Sequence, residues 1–370
     1  MQVKLNITPM EEWGLGLSRQ EPLLISGPCS AETEEQVLET AKRLSKQKVH
    51  LLRAGIWKPR TRPNSFEGIG SPALKWLKKA SKETGLPITC EVANVKHVYE
   101  ALRMGVDILW LGARTTVNPF AVQEIANALV DVDIPVMVKN PINPDLGLWI
   151  GAFERLNNAG ITKLAAIHRG FSSHSQTRYR NMPLWEIPIE LMRRLPELPV
   201  ICDPSHICGR RDLLQEVSQK SMDLNFDGIM LESHINPAKA LSDAKQQVVP
   251  ERYGEIVNSL VIRKTSTDDV MVQHNLEDLR ELIDEKDKEV ISLLVERMGV
   301  AEQIGDYKRD NGITILQPAR WDELIRGRVN AGEKLGLSAQ FMQDLYNAVH
   351  NESIRHQTKV MNVKKDSTAV

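Results

Sequence analysis

Four residues of mixed hardness carry the first chemical signal: Cys29, His206, Glu232 and Asp243. A thiolate, an imidazole and two carboxylates suit a divalent cation. They look more like a catalytic Mn²⁺, Fe²⁺ or Co²⁺ site than a structural zinc tetrad with short Cys/His spacings. Three of them fall in residues 198–243, where two apolar runs, 198–202 and 226–231, each stop on polar side chains. Asp203 and His206 follow the first run, and Glu232 and His234 the second. A second group is cationic: Arg53, Lys58, Arg60, Arg114, Lys139 and Arg169. Arginine offers a fork for carboxylate or phosphate and lysine a point charge, so these six imply substrates carrying several negative charges. Taken singly, Cys29 reads as a core thiol, His206 as a strand-end histidine and each cation as a solvated surface group. Cys90, Cys202 and Cys208 keep that plain reading.

Their common position raises them above it. Strand-like segments at 23–26, 49–53, 86–91, 106–111, 134–139, 163–168, 198–202 and 226–231 alternate with helical ones, the last at 237–249. Eight such units predict an α/β fold, a (β/α)8 TIM barrel, with a doubly wound open sheet as the alternative. The strands end in turn on Cys29, Arg53, Glu91, Ala113-Arg114, Lys139, His168-Arg169, Asp203 with His206, and Glu232. Carboxyl ends of parallel strands are where such folds hold ligands, and neutral turn residues would be the ordinary occupants.

The pattern changes near Arg263. Residues 1–262 form the expected barrel domain, 263–274 a polar linker, 275–362 a three-helix domain and 363–370 a flexible tail. Ser338 is placed to cap the third helix. On the first helix, Arg297 and Lys308 share a face, since at ~100° per residue their directions differ by about 20°. Arg280 lies roughly 25 Å from Arg297 along the axis, beyond reach of one small ligand on a straight helix. It is either a surface residue or part of a site on a second subunit. Ser353 and Gln357 are i,i+4 neighbours on the third helix.

The chain has 370 residues, 42% hydrophobic, with a net charge of −1. No global field recruits nucleic acid or an anionic membrane. The four cysteines lack CxxC spacing, which fits a reducing compartment. The first residues carry no apolar signal segment, and no run approaches the ~18 residues of a membrane span. A cytoplasmic protein without an organic cofactor is expected.

The segments GPCSAE, RAGIWKPRT, LGAR, VMVKNP, DPSH, LESH and LSDAKQ resemble the type I beta branch of the 3-deoxy-D-arabino-heptulosonate 7-phosphate (DAHP) synthases, over about residues 22–249. The sister 3-deoxy-D-manno-octulosonate 8-phosphate synthases share this rim but carry Asn-Arg where this chain has Pro59-Arg60. The resemblance implies condensation of phosphoenolpyruvate with erythrose 4-phosphate. It assigns Arg53, Lys58 and Lys139 to the phosphoenolpyruvate carboxylate, and Arg114, beside Ala113, with Arg169 to its phosphate. Arg60 and Thr61 take the erythrose 4-phosphate. One divalent metal, Mn²⁺ first and Fe²⁺ or Co²⁺ as alternatives, sits on Cys29, His206, Glu232 and Asp243 to polarise the aldehyde. Lys58 is expected as the proton donor, its pKa lowered by neighbouring cations, with Asp203 and His234 orienting the ligands.

LRELID, LLVERMGVAEQIGDYK, PAR and ESIRHQ are similar to the all-helical chorismate mutases, over about residues 276–359. These are intertwined dimers, which suits the isolated Arg280. The resemblance implies that Arg280 of a partner subunit and Arg297 hold the two carboxylates of chorismate. Lys308 and Gln357 serve the ether oxygen, with Arg320 and Ser353 in support. Two positions depart from the family. Trp321 follows Arg320 where an acidic residue often accepts the substrate hydroxyl, and an upstream acidic position is Gln317. Three readings follow: a bifunctional enzyme of the shikimate pathway; a synthase whose tail binds chorismate or prephenate without converting it; or an octulosonate-type synthase with an oligomerising tail. The lead-in before the first strand is too short for a regulatory domain, so feedback inhibition by prephenate or chorismate is expected to act through the tail.

Overall fold

A computed structural model describes residues 4–18, 21–58, 66–173, 177–264, 266, 268–316 and 318–362, with backbone alone at 318–320. The chain divides into two compact units, Met1–Thr265 and Ser266–Val370. In the first, eight strands follow one another: β1 (Leu23–Gly27), β2 (Leu51–Ala54), β3 (Ile88–Val92), β4 (Ile108–Leu111), β5 (Val136–Lys139), β6 (Leu164–His168), β7 (Val200–Cys202) and β8 (Gly228–Glu232). They form a closed parallel barrel, with β1 pairing β8 in a register that sets Gly27 against Glu232. The open sheet is excluded. At Gly27, φ is +146° and a Cβ would overlap the Arg53 carbonyl oxygen, so the approach of β1 to β2 requires glycine there.

The period of two along each strand sorts the core. Ile25, Leu51, Ile108, Trp110, Met137, Ile167, Ile201 and Met230 fill the barrel interior, joined at the strands' amino ends by Met10, Trp13 and Leu17. Leu24, Leu52, Leu109, Val138, Ala166, Cys202 and Ile229 face the outer helices. The same parity, carried one step beyond the packed layer, puts Arg53, Glu91, Lys139 and Glu232 on the interior face at the carboxyl end. It puts His168 on the other face.

Two expectations need correction. Residues 237–249 do not form the closing helix. A short 3₁₀ turn, Pro237–Lys239, is followed by a loop, and the helix is Pro250–Asn258, started by Pro250. Asp243 sits in that loop at φ +47°, incompatible with a helix interior. In the second unit the first helix begins at Val270, inside the stretch read as linker. Asp269 accepts from the amides of Met271 at 2.9 Å and Val272 at 3.2 Å, so its side chain starts the helix before the apolar repeat does. That helix, Val270–Asp310, is followed by Pro318–Lys334 and Ala339–Met361, the last capped by Ser338.

Candidate active sites

The carboxyl end of the barrel gathers anionic and cationic groups in alternation. Cys29, Glu232 and Asp243 bring one ligand atom each to within 4.8 Å of one another. The Cys29 thiol donates to Asp243 Oδ2 at 3.2 Å and accepts from Lys58 Nζ at 3.0 Å. Glu232 is fully buried; its Oε2 accepts from Gln246 Nε2 at 2.7 Å. Its Oε1 has no hydrogen bond of good geometry and stands 3.2 Å from Arg53 Nη2 and 3.7 Å from His206 Nε2. His206 thus borders the group without joining its mutual contacts. Its other nitrogen, Nδ1, lies 2.8 Å from Asp203 Oδ2, which turns Nε2 toward Glu232.

Burial, with Glu232 and Asp243 adding to it, pushes the Cys29 thiol up to about 12. Burial, reinforced by Lys139, holds the His206 imidazole below its ordinary value and so neutral, despite Asp203. A buried thiol, two carboxylates and a neutral imidazole, with one carboxylate oxygen unmet, fit a divalent cation: its charge offsets the crowding that resists ionisation of the thiol. Loop contacts fix the set. Cys29 N donates to Gln247 Oε1 at 2.9 Å, and Leu241 N to Glu32 Oε1 at 2.8 Å. His234 points to Glu32, 3.4 Å away, rather than to a ligand.

The cations border this group. Arg53 is 1% exposed, its guanidinium 4.9 Å from the Trp110 ring centroid, and its Nε–H has no partner. Lys139 Nζ donates to the buried Asp203 at 2.7 Å. Arg169 donates to Asn181 Oδ1 at 2.8 Å, and its backbone amide to Asn140 Oδ1 at 2.7 Å. Burial, with Arg180 and Arg114 nearby, lowers Arg169 to about 10. Ala113 and the exposed Arg114 open the short helix Ala113–Thr116 after β4. Arg60 and Thr61 lie outside the described residues.

Two assignments change. Burial works to lower Lys58, but Cys29 and Glu232 outweigh it, so its pKa is raised rather than lowered. The neighbours that matter are a thiol and a carboxylate rather than cations, and the stated basis for a proton donor is gone. His168, read as part of the rim, is caged by Trp149, Phe171, Trp185 and Phe226 on the helix side, where burial takes its pKa down to about 3. Sequence reasoning missed Arg180, whose Nη1 donates to Asp243 Oδ1 and Gln246 Oε1, both at 2.8 Å. It also missed Gln246 and Gln247. Their one signal was the polar run after Asp243.

In the second unit a cavity of about 400 Å³ is lined by Arg297, Lys308, Ser353 and Gln357, with Val300, Ala301, Ile304, Ile315, Trp321, Leu324 and His350. Arg297 Nη1 donates to Ser353 Oγ at 2.5 Å, and Lys308 Nζ to Gln357 Oε1 at 3.3 Å. Trp321 stacks on His350, 3.7 Å between ring centroids and 18° between planes. Arg280 does not reach this cavity within its own chain; it is exposed and paired with Glu277 at 3.1 Å. The Arg320 side chain and Gln317 lie outside the described residues.

Comparison with known proteins finds a match for each unit. The family model described as "DAHP synthetase I family" matches residues 15–268, and that described as "Chorismate mutase type II" matches 279–358. A phospho-2-dehydro-3-deoxyheptonate aldolase of Thermotoga maritima is 33% identical over 237 residues, 64% of this chain and 68% of that one. A crystal structure of the Thermotoga maritima DAHP synthase superposes with a TM-score of 0.58 at 32% identity, covering 64% of this chain and 67% of that chain. A 2-dehydro-3-deoxyphosphooctonate aldolase of Desulfotalea psychrophila is 26% identical over 268 residues, 66% of this chain and 90% of that one. The chain belongs to the DAHP synthetase I family, a family of metal-dependent enzymes. It is an enzyme with a DAHP synthase domain of aldolase type followed by a chorismate mutase domain, and so a bifunctional enzyme of aromatic biosynthesis. No helix among the described residues is long and apolar enough to cross a membrane.

Proposed function

We propose that the barrel condenses phosphoenolpyruvate with erythrose 4-phosphate in a metal-dependent reaction, and that the tail rearranges chorismate to prephenate and relays feedback inhibition to the barrel. Arg53, Lys58 and Lys139 hold the phosphoenolpyruvate carboxylate. Arg114 and Arg169, with Ala113 beside them, hold its phosphate, and Arg60 and Thr61 the aldehyde's phosphate. A divalent cation on Cys29, His206, Glu232 and Asp243, Mn²⁺ before Fe²⁺ or Co²⁺, would supply the Lewis acidity that a weak enol nucleophile demands of its partner. The raised pKa of Lys58 keeps it an ammonium, so it serves as a fixed positive charge where the substrate anions meet. Arg53, buried with an unmet donor, is already desolvated for an anion.

In the tail, Arg297 and Lys308 grip a dianion in its reactive conformer, with Ser353, Gln357 and Arg320 in support. Positioning and charge suffice for a unimolecular rearrangement. Leu276, Leu279, Ile283, Val290 and Leu293 follow one another at three, four, seven and three residues along the first tail helix and are exposed. That seam suits a second copy of the chain, which would bring its Arg280 to the site.

The convergence of Cys29, Glu232 and Asp243 with Lys58 and Arg53 carries the reading. Its test is Cys29→Ser in the full chain, assayed for bound metal and both reactions. Loss of metal and condensation with mutase turnover kept is expected; near-normal condensation in metal-depleted buffer would sink the metal reading. Preference for arabinose 5-phosphate over erythrose 4-phosphate would favour the octulosonate reading instead. Synthase activity unmoved by prephenate and chorismate would remove the feedback.

A further inference from the structure

Chorismate carries two carboxylates, an enol ether and one ring hydroxyl. The tail cavity presents two described cations, Arg297 and Lys308, and two neutral groups, Ser353 and Gln357, each bound to one of those cations. None of the described residues lining the cavity is acidic. The cations account for the carboxylates and, with Gln357, for the ether oxygen. The hydroxyl remains, and a hydroxyl taken out of water into a partly apolar cavity needs a partner.

Among the described lining residues the polar groups left over are the Trp321 indole, a donor only, and His350. Its ring nitrogens enter no hydrogen bond or ion pair among the described residues. The ring is nonetheless fixed, because Trp321 from the second tail helix lies against it at 3.7 Å and 18°. Burial first, then Arg297 and Lys308, lowers its pKa, so at neutral pH it is an uncharged imidazole with one donor and one acceptor. Through its unprotonated nitrogen such a group takes a hydrogen bond from a hydroxyl, which an ether cannot give, and it adds no charge to repel the substrate.

We propose that His350, held in plane by Trp321, binds the ring hydroxyl of chorismate and so selects for the hydroxylated substrate. The proposal rests on the reading of this cavity as the mutase site. Trp321, which breaks the family's acidic pattern, then serves as the support for a different hydroxyl partner.

The test compares kcat/KM for chorismate and for its 4-O-methyl ether in the full-length wild type, His350→Ala, His350→Phe and Arg297→Ala. A single neutral hydrogen bond makes about a tenfold difference. Wild type should therefore lose about tenfold on going to the ether. His350→Ala and His350→Phe should lose about tenfold with chorismate and almost nothing further with the ether. His350→Phe preserves the stack on Trp321, so it carries the comparison should His350→Ala fail to fold. If both variants discriminate against the ether as wild type does, the hydroxyl is bound elsewhere and the proposal is overturned. Unchanged turnover in Arg297→Ala would instead show that the cavity is not the mutase site, and the proposal would fall at that earlier step.

Discussion

Asp203→Asn should cost the barrel more than any other isosteric change near the site. Asp203 is fully buried and does three things at once. It accepts from Lys139 Nζ at 2.7 Å, stands 2.8 Å from His206 Nδ1, and caps the helix Pro204–Cys208 by accepting from His206 N at 3.1 Å. Asparagine keeps the volume and the cap, so the substitution isolates the charge. Removing one partner of a buried pair costs about 3–5 kcal/mol, chiefly because the other charge stays buried alone. For a unit of this size that lowers Tm by roughly 6–15 °C. Burial opposes ionisation of Asp203, but His206, Lys139 and Arg53 outweigh it, and its pKa lies well below the ordinary carboxylate range. A depressed folded-state pKa contributes stability above the unfolded value, about 3.9, and that stability is lost as pH falls toward the folded one. The variant should therefore be least distinguishable from wild type at the acid end. Scanning calorimetry of the full chain at pH 7 measures the loss, and repeating it below about pH 3.9 measures its narrowing. Adding Lys139→Met to Asp203→Asn should restore most of the stability without restoring condensation, since the buried charge is then gone along with a substrate cation. A loss of under about 1 kcal/mol for Asp203→Asn at pH 7, or no recovery in the double variant, would refute the reasoning about the pair.

Two further predictions concern the tail. Gly305→Ala would place a Cβ 2.6 Å from Val360 Cγ2 and 3.0 Å from Gln357 Cα. The third tail helix must then shift, costing about 1–3 kcal/mol. Mutase kcat/KM should fall while condensation holds, and equal activity in a chorismate-depletion assay would contradict the packing. Arg280→Ala and Arg297→Ala, each inactive alone, should regain about a quarter of wild-type mutase activity when mixed and allowed to exchange subunits, because in the proposed dimer half the pairs are mixed and one of their two sites is intact. No recovery, with exchange verified by labelled chains, would place Arg280 outside the site.

How far the sequence reached can be judged from particular residues. The alternation of β1 to β8 was legible because buried parallel strands are short apolar runs, and the ionisable groups at their ends stood out against that background. The period of two within each strand would also have told His168 from Arg169, since Ile167 and Arg169 share a parity that His168 lacks. Summing charge along the rim without asking which face each group takes lost that distinction, and the same omission misplaced Lys58. Neighbouring cations predict a lowered pKa, whereas the two groups that decide it, Cys29 at 3.0 Å and Glu232, are a thiol and a carboxylate distant in sequence. Asp243 lies with Cys29 and Glu232 but in a loop, where the sequence predicts a helix. Residues 237–249 have helix-like composition, but the loop is held by contacts of Leu241 with Glu32 and of Ser242 with Ser30, more than 200 residues apart in the chain. Arg180 and the Trp321–His350 stack were invisible for the same reason. Each acquires its chemical meaning from a partner on another element, and nothing in the local pattern of RYRN or PARW announces one. In both units, therefore, the candidate site residues are the more readable part, and those that hold them in place the less readable. The substitutions that best separate the two, Asp203→Asn in the barrel and Gly305→Ala in the tail, act on groups whose importance only the folded chain reveals.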